Sequence, residues 1–212
     1  GETQAGKSAC HSSDPYCLGG IGVTGTLAAN RIAKEADTVL AIGSRLSDFT
    51  TGSKWLFREE GVQVLTINNN RYHAYKMDAI KAVGDAKATL EELAKALREK
   101  NYRSAYKGEI ESCKAEWDKE YKRLAEYAYK EEGFEPLIEE RDPRTIPEFV
   151  EKTQGYLTQT AAIAALRRKM PADGIVITAG GSLPSCMQRL WTTDSRYAYH
   201  AEYGYSCMGY EV

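Results

Sequence analysis

Short apolar segments, each leading through a polar turn into a helical pattern, constrain the fold of this chain more than any other feature. Two of them, residues 38–43 (TVLAIG) and 62–68 (VQVLTIN), lie in the first half of the chain, and a third spans residues 174–179 (GIVITA). Segments of this kind form the inner strands of parallel sheets, in which a helix connects each strand to the next. The sequence therefore predicts an α/β fold built on parallel sheets.

The same patterns divide the chain into three parts. We predict a central α/β domain over residues 1–100, whose first strand is cut short, an amphipathic helix and linker over residues 101–155, and the truncated start of a second α/β domain over residues 156–212. In the first part, a helix over residues 26–36, capped by Thr24, precedes the first strand. The last helix of this part carries a stripe that we expect to be buried, formed by Leu90, Leu93, Ala94 and Leu97.

The middle part changes from a helical pattern to a proline-rich one. Its apolar residues recur at helical spacing and predict a helix of about 20 residues, with Ile110, Cys113, Trp117, Leu124 and Ala128 on one face. Residues 133–154 contain Pro136, Pro143 and Pro147 and are predicted to form an extended linker.

The third part returns to alternating helix and strand patterns. A helix follows Thr158, carries a stripe of Ile163, Leu166 and Met170, and ends at Pro171. The segment 174–179 is predicted to be a buried strand, and a further helix runs from Pro184 to Trp191.

Charge and cysteine content exclude several classes of partner. The 28 basic and 30 acidic residues give a formal net charge of −2, and no block of basic residues indicates nucleic-acid binding. No apolar run reaches the roughly 18 residues that span a membrane. The five cysteines are scattered and indicate reduced thiols in a cytoplasm. We assign no metal site, because His11, His73 and His200 lack partners at metal-ligand spacing.

Two glycine-containing motifs in the first part are weak indicators of nucleotide binding. Residues 20–25 (GIGVTG) match the dinucleotide fingerprint G-x-G-x-x-G, but no strand pattern precedes them, so a tight, close-packed turn is favoured. Residues 43–48 (GSRLSD) follow a strand end, where parallel sheets place ligands. Arg45 and Asp48 could reach a nucleotide there, although an ion pair between domains is the favoured role.

Two loops in the third part carry a stronger signal. Residues 179–184 (AGGSLP) place two glycines between a strand and a helix, which suits the binding of a diphosphate by backbone N–H groups. The start of an ordinary helix explains this turn equally well. A second loop of small residues, 204–209 (GYSCMG), follows about 25 residues later.

Together with residues 1–8 (GETQAGKS), 22–25 and 43–52, these loops resemble the bacterial trihydroxycyclohexane-1,2-dione hydrolases, which are thiamine-diphosphate enzymes related to acetohydroxyacid synthase. The resemblance implies a central domain of Rossmann-like (DHS-like) fold. It also implies an enzyme that opens the ring of the dione by carbon–carbon bond cleavage during inositol breakdown, acting as a homo-oligomer on this small-molecule substrate. Thiamine diphosphate and Mg²⁺ are the implied cofactors.

The resemblance assigns cofactor contacts residue by residue. Gly181, Ser182 and Leu183 are expected at the diphosphate, although relatives commonly present a polar residue in place of Leu183. Ser206, Cys207, Met208 and Gly209 are expected beneath the aminopyrimidine, with Met208 as the wedge that bends the cofactor. An ordinary core position is the alternative for Met208. Apart from the resemblance, His200 and Glu202 stand just before this loop and could face the substrate as an acid–base pair.

The chain lacks parts that such an enzyme needs. No Gly-Asp-Gly motif is present, so the Mg²⁺ ligands and the activating glutamate are expected outside this chain, and the chain alone is predicted to be inactive. Two alternatives remain open: an acetohydroxyacid synthase-like carboligase with FAD in the central domain, and a noncatalytic nucleotide-binding module.

Overall fold

The computed structural model describes residues 1–57, 60–128, 144–153 and 157–212, and its first unit contains a three-stranded parallel sheet. Strands β1 (Thr38–Ile42), β2 (Gln63–Asn68) and β3 (Ile80–Val83) lie in the order β1-β2-β3. The register places Val39 beside Val64 on β1 and β2. This sheet confirms the predicted α/β class. β3 is not among the predicted strands, because Lys81 interrupts its short apolar pattern.

Helices connect the strands of this sheet. The first unit contains α1 (Leu27–Glu35), α2 (Asp48–Thr51), α3 (Arg71–Ala74), a short 3-10 turn (Lys76–Asp78) and α4 (Ala86–Glu99). The cap of α1 is Thr26, whose hydroxyl accepts a hydrogen bond from the Ala29 amide at 3.0 Å. Thr24 is instead buried, and its hydroxyl accepts a hydrogen bond from Gln4 Nε2 at 3.3 Å. The prediction of Thr24 as the cap is therefore wrong by two residues.

The stripe on α4 does not enter the core of the first unit. That core consists of Ala33, Leu46, Leu56, Phe57, Val64 and Ala79. None of the residues of α4 is buried, and Leu97 is 37% exposed. Leu40 and Ile42, which share one face of β1, are also exposed. The prediction of a buried stripe on α4 is wrong.

A long helix joins the first unit to the second. α5 (Lys107–Glu126) has 20 residues, as predicted, and packs against α1 of the first unit and α7 (Gln159–Lys169) of the second. Cys113 is buried in a cluster with Leu18, Ala28 and Ala29 of the first unit. Trp117 is partly buried against this cluster and against the core of the second unit, which consists of Ile163, Val176, Met187, Leu190, Trp191 and Tyr199. Ala128 lies beyond the end of the helix, in a bridge to Leu157. None of the described helices is long and apolar enough to cross a membrane.

The predicted extended linker is only partly within the described residues, since 129–143 and 154–156 lie outside them. Within 144–153 the chain forms α6 (Thr145–Thr153), which contradicts the prediction for that stretch. Pro147 is the third residue of this helix. Proline is tolerated in the first turn because the N–H groups there have no partner within the helix.

The second unit pairs two short strands in parallel and covers them with two helices. After α7, β4 (Val176–Thr178) pairs with β5 (Tyr199–Ala201), and α8 (Ser182–Leu190) lies between them in the chain. Thr158 caps α7, as predicted, by accepting a hydrogen bond from the Ala161 amide at 3.2 Å. The prediction that β4 is buried throughout is wrong, because Ile177 is 51% exposed. The side chains of β4 alternate between the core and solvent instead.

A loop of the first unit docks directly onto the second. The Ser12 amide donates to the Thr193 carbonyl at 2.8 Å, and the Thr193 amide donates back to Ser12 Oγ at 2.8 Å. The neighbouring Ser13 amide donates to Asp194 Oδ1 at 3.0 Å, and this bond holds the pKa of the Asp194 carboxyl below its usual value. These contacts position the two units for the site described next.

Candidate functional site

Two glycines form the turn between β4 and α8. Gly181 has a φ of +135°, a conformation that side-chain-bearing residues rarely adopt. A Cβ on Gly180 would lie only 2.9 Å from Ser206 Cα. The turn therefore requires glycine, and its backbone is open to close approach by a ligand.

The amino terminus of α8 follows this turn and has no side-chain cap. First-turn amides of a helix lack partners within the helix and carry partial positive charge, so they attract anions. Gly181, Ser182 and Leu183 are all exposed here, and Ser182 Oγ interacts with Gln159 Nε2 at 3.3 Å. An uncapped helix start behind a glycine cradle fits a diphosphate. The predicted diphosphate contact of these three residues stays a prediction.

The second predicted loop lies against the glycine turn. Ser206 packs directly on Gly180, with its Cα in the space that a Cβ on Gly180 would need, although 26 residues separate the two in the chain. Tyr203, at the start of this loop, shares a hydrogen bond with Ser185 of α8 through their hydroxyl groups. Its ring also packs edge-on against Phe49 of the first unit, with centroids 5.0 Å apart. The structure thus brings both predicted cofactor loops together at one end of α8.

Met208 and its neighbours project from this loop. Met208 is 80% exposed, Cys207 is exposed, and nothing lies within 4 Å of a Cβ built on Gly209. Met208 belongs to none of the hydrophobic clusters of the described residues. Its assignment as the wedge beneath the aminopyrimidine remains a prediction.

A cavity of about 120 Å³ separates the end of β1 from the segment after β5. Arg45 and Ser44 line it on the first unit, and Glu202 and Tyr203 line it on the second. Within the described ranges, neither Arg45 nor Asp48 forms an ion pair, so the predicted ion pair between domains is not found there. Arg45 faces the same cavity as Glu202 instead.

His200 and Glu202 have separate partners. His200 Nε2 lies 2.8 Å from the Tyr197 carbonyl, and Glu202 Oε1 accepts a hydrogen bond from the Tyr205 amide at 3.2 Å. Only Glu202 lines the cavity beside Arg45. An acid–base role for these two residues stays a prediction, since the structure does not join them by a hydrogen bond.

The motif at residues 20–25 forms a close-packed turn. Gly22 has a φ of +99°, and a Cβ there would lie 1.9 Å from the Phe49 carbonyl oxygen. Asn30 accepts a hydrogen bond from the Gly22 amide at 2.9 Å and donates one to the Gly22 carbonyl at 2.8 Å. Because the Gly22 N–H already donates a hydrogen bond to Asn30, it is not free to bind a phosphate. This geometry supports the tight-turn interpretation over a dinucleotide site.

Comparisons with known proteins agree with this arrangement. The family described as "Thiamine pyrophosphate enzyme, central domain" matches residues 1–93. A 3D-(3,5/4)-trihydroxycyclohexane-1,2-dione hydrolase from Clostridium botulinum is 53% identical over 212 residues, covering 100% of this chain and 33% of that protein. Residues 1–93 belong to the central-domain family of the thiamine pyrophosphate enzymes.

Further relatives among the thiamine pyrophosphate enzymes carry the same name. The hydrolase of Clostridium perfringens is 53% identical over 211 residues, and "hydrolase 2" of Bacillus cereus is 50% identical over 212 residues. Each match covers 100% of this chain and 33% of the relative, so the chain spans about a third of the length of these proteins. The glycine turn and the 203–209 loop lie outside residues 1–93 but within the region aligned to these relatives.

Several residues around the candidate site carry no signal in the sequence. Ser185 and Tyr203 belong to no motif, and Phe49 lies in the 43–52 segment without a predicted role at this site, yet all three support the two loops. Glu2, Cys10 and Cys17 place three potential metal ligands within 4.8 Å of one another. Their spacing matches no metal-binding pattern, so only the folded chain reveals the cluster.

Proposed function

We propose that the protein to which this chain belongs opens the ring of 3D-(3,5/4)-trihydroxycyclohexane-1,2-dione by carbon–carbon bond cleavage in myo-inositol catabolism, using thiamine diphosphate and Mg²⁺. Identity of 53% to a hydrolase of that name, sustained over all 212 residues, carries this proposal. The paired loops at the start of α8 support it, because they supply a glycine cradle and an open helix terminus.

Within this proposal the backbone around the glycine turn holds the cofactor. The amides of Gly181, Ser182 and Leu183 donate to diphosphate oxygens, and the absence of a side chain on Gly181 lets the anion approach. Cys207, Met208 and Gly209, with Ser206, support the aminopyrimidine ring. When bound, thiamine diphosphate supplies the carbon nucleophile, while the protein supplies position and electrostatics. The Mg²⁺ ligands lie outside this chain.

Glu202 is the better placed of the two proposed acid–base residues. It lines the cavity beside Arg45 and adjoins the loop that carries Met208. Its carboxylate holds the start of that loop through the Tyr205 amide. We propose that Glu202 orients the substrate and moves a proton there, and that His200 supports the adjoining strand.

The proposal also includes the cellular compartment of the enzyme, the cytoplasm, and its assembly as a homo-oligomer. Five free cysteines fit a reducing cytoplasm. Exposed apolar side chains of the second unit, including Ile175 at 61% and Ile177 at 51%, fit a surface that a homo-oligomer covers.

Ring opening by the full-length enzyme tests the reaction directly. We expect NMR of the dione incubated with enzyme, cofactor and Mg²⁺ to show an acyclic acid, and no product without the cofactor. Condensation of two 2-oxo acids, together with bound flavin absorbance, would instead identify a carboligase.

Gly181→Ala tests the proposed diphosphate contact. At a φ of +135° a side chain costs about 1–3 kcal/mol, and its Cβ also enters the cradle. We expect affinity for thiamine diphosphate to fall about tenfold or more. Gly108→Ala is the matched control, because nothing lies within 4 Å of a Cβ at this helical position. Equal affinities in the two variants would contradict the contact.

A further inference from the structure

Lys7 is a buried cation without a strong partner. It is 4% exposed, and across the described parts of the chain its Nζ donates no hydrogen bond and makes no ion pair. Its nearest ring contact is with Tyr199, whose centroid is 5.6 Å away. Burial lowers the pKa of Lys7, and the carboxylate of Glu2, whose Oε1 accepts a hydrogen bond from the Cys10 amide at 3.0 Å, opposes that shift. Burying a charge without a direct partner is costly.

Two more cations reach the same space. Lys7 lines a cavity of about 80 Å³ together with Lys114 of α5 and Arg189 of α8. Lys114 Nζ donates to the Asp14 carbonyl, and Arg189 Nε donates to the Gly25 carbonyl at 3.1 Å. The remaining guanidinium N–H groups of Arg189 have no partner among the described residues.

The lining of this cavity holds three basic side chains and one carboxylate, and the buried Glu2 carboxylate lies close to Lys7 without lining the cavity. Asp118 contributes a carboxylate to the lining, but it is exposed and forms an ion pair with none of the cations in the described ranges. A space of about 80 Å³ holds a small ion and is well below the size of nucleotide pockets. Residues with guanidinium and ammonium groups that line one small cavity are typical of oxyanion sites.

We propose that this cavity binds a small tetrahedral oxyanion such as inorganic phosphate between Lys7 and Arg189. The anion joins a loop of the first unit to α8, because Lys7 precedes the docking residue Ser12 and Arg189 lies on the helix of the second unit. The site is distinct from the proposed cofactor site. Arg189 lies seven residues along α8 from Ser182, which corresponds to about 10 Å at the rise of an α-helix.

Calorimetric titration of the holoenzyme with inorganic phosphate tests the site. Saturation with thiamine diphosphate and Mg²⁺ keeps the proposed diphosphate turn occupied, and constant ionic strength controls for screening. We expect Lys7→Met to weaken phosphate binding at least about tenfold, and Arg189→Gln to weaken it at least about threefold. Lys95→Met, at an exposed position on α4, is the matched control and should bind phosphate like the unmodified protein.

Thermal unfolding separates specific binding from the general stabilising effect of phosphate. Without phosphate, Lys7→Met should unfold at the same or a higher temperature, because it removes a buried charge. With phosphate, the unmodified holoenzyme should gain stability that Lys7→Met does not gain. Equal gains in both proteins, or unchanged phosphate affinity in Lys7→Met, would overturn the proposal. If Lys7→Met fails to fold, the affinity of Arg189→Gln decides, and no change there also overturns it.

Discussion

At the scale of single residues, two methionines near the proposed cofactor site differ in how much of their side chains is exposed to solvent. Met187 lies on α8 and is 6% exposed within the core of the second unit, whereas Met208 is 80% exposed on the adjoining loop. The same side chain therefore has a packing role at one position and is open to a ligand at the other. Replacing each methionine by alanine therefore distinguishes an effect on folding stability from an effect on turnover.

We expect Met208→Ala in the full-length enzyme to lower turnover while leaving the unfolding free energy nearly unchanged. A wedge that holds the cofactor in its reactive shape acts in the transition state, so its loss reduces kcat. Met187→Ala should show the reverse pattern, with a stability loss of about 2–5 kcal/mol. Urea unfolding and steady-state kinetics measure both effects. Normal turnover in folded Met208→Ala would show that the wedge is assigned to the wrong residue.

Tyr199 provides a test at alkaline pH. Burial raises its pKa from 10.0 to about 12, against a smaller opposing effect of its hydrogen bond to Thr178. Because the folded state keeps the proton more tightly, this stability is fully present below pH 10 and is lost as pH rises from 10 to about 12. The loss should reach roughly 2–3 kcal/mol.

Tyr199→Phe should therefore have a flatter dependence of unfolding free energy on pH between 10 and 12 than the unmodified protein. Tyr197→Phe is the control, since Tyr197 is 77% exposed. Urea unfolding at several pH values measures the difference. Parallel curves for Tyr199→Phe and the unmodified protein would mean that burial of this hydroxyl does not resist ionisation.

At the scale of elements, the turn at residues 20–25 positions α1 against the segment after β1. The Gly22 amide and carbonyl are both bound by Asn30 of α1, and the Val23 amide donates to the Phe49 carbonyl at 2.9 Å. Phe49 in turn contacts Tyr203 at the cofactor loops. A turn that resembles a nucleotide fingerprint thus acts as a structural support for the site.

Gly22→Ala should destabilise the protein strongly. The residue has a φ of +99°, and its Cβ would lie 1.9 Å from a backbone oxygen, so the turn must move. The strained backbone alone costs about 1–3 kcal/mol. Gly84→Ala is the control, because its Cβ would be 3.7 Å from the nearest atom, Thr89 Oγ1. Similar urea midpoints for both variants would contradict the close-packed turn.

At the scale of the whole molecule, the site depends on the packing of two units. The Ser12 and Thr193 hydrogen bonds dock one unit on the other, and α5 contributes side chains to both cores. The cavity beside Arg45 and Glu202 exists only because of this packing. Cofactor binding further needs the Mg²⁺ ligands, which we place outside this chain.

The 212-residue chain alone should therefore bind thiamine diphosphate weakly and show no turnover. On the proposed function, the metal ligands and the activating carboxylate are expected outside this chain, and each missing charge-assisted contact is worth about 1.5–3 kcal/mol. Calorimetric titration in the presence of Mg²⁺, run beside the full-length enzyme, measures the difference. A submicromolar dissociation constant for the chain alone would refute this expectation.

The sequence by itself determined the α/β class, β1, β2, α5 and the Thr158 cap, because periodicity and capping depend on residues that are close in the chain. Its two small-residue loops also marked both parts of the proposed cofactor site. Only the tertiary structure decided that the stripe on α4 stays outside the core, that Ser206 meets Gly180, and that the buried Lys7 lines one cavity with Arg189. These features depend on contacts between residues distant in the chain, which local patterns do not encode.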